Sequence, residues 1–208
     1  MARAAMALAV ATAVATAGLV AAAPSAGATA VYVADDLRGT DTATVAQQAL
    51  SALQRNDRVT FAVLRQRVAA LVAPPAQVDP LQLDAVWGAA APARMTAVLS
   101  ALTQLGVPYH RLGATPGKSF DCSGLTSWSW AQSGVGLPHQ SGRQIRGVAR
   151  SSIDQVQPGD LLYYPGHVML ALGVGGAMVH APNTGNVVEV RMLSEHQQRR
   201  LRVGDPLA

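Results

Sequence analysis

The chain of 208 residues carries 16 Lys and Arg against 12 Asp and Glu, a formal charge of +4, with half of its residues apolar and a single Cys. That balance excludes a charge-rich disordered chain, a disulfide-stapled scaffold and a multidomain machine, and the length fits one domain of ordinary size plus a smaller appendage. No Lys/Arg run and no interleaving of basic with aromatic residues marks a nucleic-acid face, so no nucleic-acid partner is expected.

In chain order, Arg3 precedes an uncharged stretch from Ala4 to Ala23, rich in Ala, Val and Leu. Small-residue sites follow at Ala26-Gly27-Ala28 and Ala28-Thr29-Ala30. This is the organisation of a secretory signal peptide over residues 1–30. A membrane anchor is the other reading, but the Ala and Thr content makes the stretch weakly hydrophobic, so no stable span is expected after its removal. Cleavage near Thr29 or Val31 leaves 15 basic and 12 acidic residues, +3 in all, on a chain that is secreted or works in the cell wall. An exported protein that used Cys for stability would carry pairs, so the lone Cys122 invites a chemical explanation. A small buried hydrophobe is its bland alternative.

From Asp41 to Ala73, Val45, Ala49, Leu50 and Leu53, then Val59, Val63, Leu64, Val68 and Leu71, recur at three- and four-residue steps, with a break near Asn56-Asp57. The pattern predicts a helical hairpin within residues 31–73, with Arg55, Arg58, Arg65 and Arg67 on its wet face. Pro74-Pro75 is expected to stop the second helix and to open a linker over residues 74–91, where the sequence around Trp87 is ambiguous. The hairpin could mask a cleft, dock a protein partner or extend the core. A new helix starts at Pro92 and carries Met95, Val98, Leu99, Leu102 and Leu105 on one face before Gly106.

A loop with Gly106-Val107-Pro108-Tyr109 leads to Phe120-Asp121-Cys122-Ser123-Gly124-Leu125, and the pattern is helical again from Ser123 to Ser133. Cys122 therefore sits at or just inside a helix N-terminus, where unpaired N–H groups and the positive end of the helix dipole favour a thiolate. Beyond it, the runs 160–164, 167–172, 177–180 and 187–190 are short and β-prone, separated by Gly, Pro and Asn, and predict an antiparallel meander. If the strands of His167 and His180 are joined by an even-numbered loop within 173–176, both histidines share a face. With Leu172 opposite Ala177, His180 opposes Met169 and lies diagonal to His167, within reach of ring-to-ring hydrogen bonding. An odd-numbered loop destroys this arrangement. His110, His139 and His196 have no identifiable partner and are expected to face solvent.

In these residues the chain resembles the NlpC-type cell-wall endopeptidase family, papain-like cysteine peptidases that cut the peptide stems of bacterial peptidoglycan. The likeness runs from about Pro92 to Leu193 and follows the family's motif order. Leu105-Gly106-Val107-Pro108-Tyr109 resembles the helix end and Tyr loop, Phe120 to Leu125 the nucleophile motif, and Pro158-Gly159-Asp160-Leu161 the start of the sheet. His167-Val168 resembles the base position and Val179-His180-Ala181-Pro182 the third catalytic position.

The resemblance implies an α+β, papain-like catalytic domain over residues 92–208, with the nucleophile at a helix N-terminus packed on an antiparallel β-meander, preceded by the small helical hairpin. It implies Cys122 as nucleophile, His167 as base and His180 as the group orienting His167. The Cys122 backbone N–H helped by Tyr109 is the implied oxyanion stabiliser. Asp121 and Ser123, by position, would help to hold the free amine of the stem's L-Ala, although Asp121 equally suits a helix N-cap. The implied substrate is a peptidoglycan stem peptide, cut between γ-D-Glu and the diamino acid, with no cofactor and no metal. A zinc site from Cys122, His167 and His180 is formally possible, but no Cys-x-x-Cys or His-Glu-x-x-His spacing accompanies it. The alternatives are a Cys-His amidase that cuts the sugar-to-peptide amide, or a wall- or partner-binding module without turnover. The chain departs from the family pattern at Arg111-Leu112-Gly113-Ala114 and at His139, which replaces a common Arg.

Overall fold

A computed structural model describes residues 41–208; the expected signal peptide and residues 31–40 of the expected hairpin segment lie outside the described residues. Asp41 caps helix α1 (Thr42–Gln54) through its carboxylate, and Asp57 caps α2 (Arg58–Ala76) in the same way. The two helices form the expected antiparallel hairpin, and the turn between them uses Asn56 in the left-handed region at φ 54°.

Residues 74–91, expected as a linker, are largely helical, forming the end of α2 and all of a further helix. Pro74 and Pro75 lie inside the last turn of α2, where the fixed proline φ is compatible with a helix but each ring nitrogen forgoes the bond to the carbonyl four residues back. Burial of Val72, Ala73 and Ala76 holds that turn in place, and Gln77 ends the helix at φ 53°. Asp79 then caps α3 (Pro80–Ala89), with Pro80 in the first turn. Trp87 on α3 is buried, and its indole N–H donates to the Leu172 carbonyl at 2.7 Å. Arg65 is not simply solvated: it pairs with Asp84 of α3 at 2.7 Å and lies over the Phe61 ring. The inward stripe of α2 is Val68, Ala69, Val72 and Ala76, while Val59 and Val63, expected inside, are 78 % and 62 % exposed.

Helix α4 (Pro92–Leu102) buries Met95, Val98, Leu99 and Leu102, as its spacing predicts. A two-residue hairpin pair, β1 (Ala114–Thr115) and β2 (Ser119–Phe120), precedes α5 (Cys122–Ala131) and the short α6 (Ser141–Arg146). The strands are β3 (Ala149–Ser151), β4 (Leu161–Tyr164), β5 (His167–Ala171), β6 (Ala177–His180), β7 (Glu189–Met192) and, after α7 (Glu195–Gln198), β8 (Arg202–Asp205). They form an antiparallel sheet in the order β3-β8-β4-β5-β6-β7. The meander β4 to β7 matches expectation, but β3 and β8 were not legible.

One continuous apolar core joins α1 to α5 to one face of this sheet through Val45, Leu50, Val72, Leu99, Leu125, Trp130, Leu170 and Val179. The hairpin thus shares one core with α4, α5 and the sheet. A smaller cluster on the other face contains Leu162, Met169, Met178 and Val203. No helix among the described residues is long and apolar enough to cross a membrane.

A buried cation ties the two layers together. Arg94 of α4 donates to Asp160 at 2.7 Å, to the Pro158 carbonyl at 3.2 Å and to Asp205 of β8 at 2.6 Å. Removing one member of a buried ion pair leaves its partners charged and desolvated. Arg94→Met is therefore expected to lower unfolding free energy by roughly 3–5 kcal/mol in urea titration. A loss below about 1 kcal/mol would contradict this reading of the triad.

Candidate active site

Helix α5 starts at Cys122 because Asp121 has an extended backbone and a side chain that accepts the Gly124 N–H at 2.6 Å. The same oxygen, Oδ1, accepts the Ser123 hydroxyl at 3.1 Å and meets His139 Nε2 at 2.9 Å. Oδ2 accepts the Leu112 N–H at 2.9 Å. With His139 in its Nε2–H tautomer, three donors meet Oδ1 and one meets Oδ2, so Oδ2 keeps room for a further donor. Asp121 is thus a helix cap, and the Ser123 hydroxyl is turned inward onto it. His139 is exposed, as expected, but it is not without a partner: its contact with Asp121 spans a loop with no periodic signal.

Gly124 lets the loop before β1 lie on the first turn of α5. A Cβ there would stand 1.9 Å from the Gly113 carbonyl oxygen and 2.9 Å from His139 Nε2. The loop is fixed by Leu112 at φ 61°, an uncommon conformation for a residue with a side chain, and leaves the leucine 75 % exposed.

The two histidines come from one end of the sheet. His167 opens β5 after the Pro165-Gly166 turn, with Gly166 at φ 89°, and His180 closes β6. Leu170 pairs with Val179 and Ala171 with Met178, and Leu172 donates to Ala177 across the four-residue loop 173–176. This is the even-numbered register. It places His180 across from Met169 and diagonal to His167, and His167 Nε2 lies 2.9 Å from His180 Nδ1. The rings cross at 78°, and both residues are 7 % exposed.

Packing of α5 on β5 brings Cys122 to this pair: its sulfur takes the backbone N–H of Val168, the neighbour of His167. The expected lowering of the Cys122 pKa is corrected here. Burial pushes the thiol up, outweighing the N–H groups of Val168, Ser123 and Cys122 itself, and the Asp121 charge adds to the rise. Burial, helped by their mutual proximity, pushes His167 down to about 4, and burial with the Arg191 charge does the same to His180. The resting state is therefore a neutral thiol beside a neutral imidazole. His180 occupies Nε2 of His167, which leaves Nδ1 as the ring nitrogen able to take a thiol proton.

Two tyrosines, Tyr109 and Tyr164, feel the Cys122 charge. Burial and the Cys122 charge raise the phenol pKa of Tyr109 and of Tyr164, so both stay protonated and able to donate. Tyr164, which sequence reasoning missed, pairs with His167 across the hairpin, and the rings lie 5.3 Å apart. The short Tyr164-Pro165-Gly166-His167 connection was the available signal. Glu189, also missed, pairs with His180 on β7. Among the described residues no group of three or more His, Cys, Asp and Glu is arranged to hold a metal ion.

Residues 106–204 match the model of the NlpC/P60 family. A probable endopeptidase of Mycobacterium tuberculosis is 41% identical over 100 residues, 47% of this chain and 26% of that protein. Dipeptidyl-peptidase 6 of Lysinibacillus sphaericus is 39% identical over 104 residues, 49% of this chain and 37% of that protein. This chain thus spans about a quarter to a third of the length of these relatives. The solved structure of an NlpC/P60 family protein from Bacillus cereus superposes with a TM-score of 0.51 at 26% identity, over 57% of this chain and 42% of that one.

The lowered histidine pKa values make stability depend on pH with a definite sign. An unfolded His binds its proton near pH 6.5, whereas the folded pair does so near 4, so between these values the unfolded chain holds more protons. Stability should be complete above about pH 6.5 and be lost as pH falls toward 4. Melting curves across this window should fall more steeply for the native chain than for a His167→Gln/His180→Gln variant, and equal slopes would refute the assignment.

Proposed function

The domain at residues 106–204 belongs to the NlpC/P60 family, and on that premise we propose that the protein is an exported cysteine endopeptidase that hydrolyses peptidoglycan stem peptides between γ-D-Glu and the diamino acid. The observation that carries the proposal is the 2.9 Å His167–His180 contact beside a cysteine at a helix N-terminus. The names of the mycobacterial and Lysinibacillus relatives support the peptidase class. The signal-like segment at residues 1–30 supports export, and the net positive charge suits an anionic wall.

In this reading Cys122 attacks the γ-carbonyl carbon as its proton passes to Nδ1 of His167, so that no charge is buried before substrate arrives. The developing oxyanion is met by the Cys122 N–H at the helix start and by the Tyr109 hydroxyl. His167 then protonates the leaving amine, and water hydrolyses the thioester with His167 again as base. His180 holds the His167 ring throughout. Asp121 caps the helix and, through Oδ2, which accepts only the Leu112 N–H, keeps a site for the stem's amine, while the Ser123 hydroxyl is turned onto the cap.

Mass spectrometry of muropeptides containing L-Ala, γ-D-Glu and a diamino acid tests the proposal. Cleavage after D-Glu should occur with the native chain and vanish with Cys122→Ala, while His180→Ala should lower kcat roughly 100-fold. Cleavage of the sugar-to-peptide amide would indicate the amidase, and cleavage that survives in Cys122→Ala would overturn the mechanism. The kcat/KM profile should keep its plateau well below pH 6.5, because the His167 pKa lies at about 4.

A further inference from the structure

The His167–His180 contact is compatible with two proton arrangements, and only one of them supports catalysis. If His167 Nε2–H donates to His180 Nδ1, the Nδ1 of His167 is bare and can accept the thiol proton. If His180 Nδ1–H donates to His167 Nε2, the neutral His167 carries its proton on Nδ1 and cannot act as base toward Cys122. A distance of 2.9 Å fits both equally. The choice must come from the far side of the His180 ring.

On that side His180 Nε2 is buried with no hydrogen bond, and Glu189 Oε1 stands 3.4 Å away. Glu189 is the direct cross-strand partner of His180, so the β6–β7 register delivers its carboxylate to this nitrogen. Arg191, two residues along the same strand, places its Nε 3.1 Å from the same Glu189 oxygen. The guanidinium orients the carboxylate, and its charge opposes protonation of His180. Catalytic hydrogen bonds in unliganded sites are often long and tighten on substrate binding.

We infer that Glu189 is a positioning residue that fixes His180 as its Nε2–H tautomer and thereby leaves Nδ1 of His167 free to take the Cys122 proton. The inference rests on the Cys122–His167 chemistry proposed above. Every donor then points the same way, from the thiol through His167 and His180 to the carboxylate. Without the carboxylate, a buried Nε2–H would have no acceptor, so His180 would move its proton to Nδ1 and place His167 in the unproductive tautomer.

Long-range proton–nitrogen NMR of the histidine rings in the full chain reads the tautomers directly, and the rate of Cys122 alkylation by iodoacetamide reads their consequence. The native protein should show Nε2–H on both His167 and His180 at neutral pH. Glu189→Ala should convert His180 to Nδ1–H and slow alkylation about tenfold, whereas Glu189→Gln, whose amide oxygen can still accept, should keep most of both signals. A purely structural role would alter melting without changing the tautomer. Retention of Nε2–H on His180 together with native alkylation in Glu189→Ala would overturn the inference, as would Nδ1–H on His180 in the native protein. Neither readout needs a stem peptide, so this inference and the substrate assignment fail independently.

Discussion

One carboxylate organises the site. Asp121 accepts from the first turn of α5, from the Ser123 hydroxyl, from His139 and from the Leu112 amide, and so joins the Cys122 helix to two separate loops. Its contribution extends beyond the roughly 1 kcal/mol of an ordinary cap, because a buried acceptor with four donors cannot lose one without exposing an unmet polar group. Gly124 is the complementary requirement, since the Gly113 carbonyl occupies the space of a side chain there. Cap and glycine together set where Cys122 begins its helix and therefore where the sulfur meets the Val168 amide.

The sheet supplies the second half of the site by parity. Four residues between β5 and β6 put His167 and His180 on one face, and the register then brings Glu189 to the same ring. The site sits in a dry environment that favours neutral groups, which is why both imidazoles are pushed down and the thiol up. Such a pair avoids burying a charge at rest, and in the proposed mechanism it transfers its proton only when a carbonyl is at hand. The layers that hold this geometry are locked elsewhere, through Arg94 with Asp160 and Asp205, and through the Trp87 and Trp130 indoles bonded to the Leu172 and Gly159 carbonyls.

What was legible in the sequence was local. Asp-Cys-Ser-Gly read as a helix start, and the even-numbered turn read as a shared face for two histidines; both depend on neighbours within a few residues. The strands Ala149–Ser151 and Arg202–Asp205 lack alternation, and they pair with each other over some fifty residues, which no local pattern encodes. Residues 74–91 read as a linker because two prolines normally stop a helix, whereas buried Val72, Ala73 and Ala76 carry α2 through them. His139 and Glu189 escaped for the same reason as β8, since each finds its partner only after the chain has folded.

The direct test of the central claim is to quench the reaction of the full-length chain with a stem peptide and to weigh the protein. The account predicts a transient thioester on the peptide containing Cys122, with the mass of the γ-D-glutamyl acyl portion. Turnover with no adduct at Cys122 under conditions that trap a thioester, or an adduct on another side chain, would contradict it.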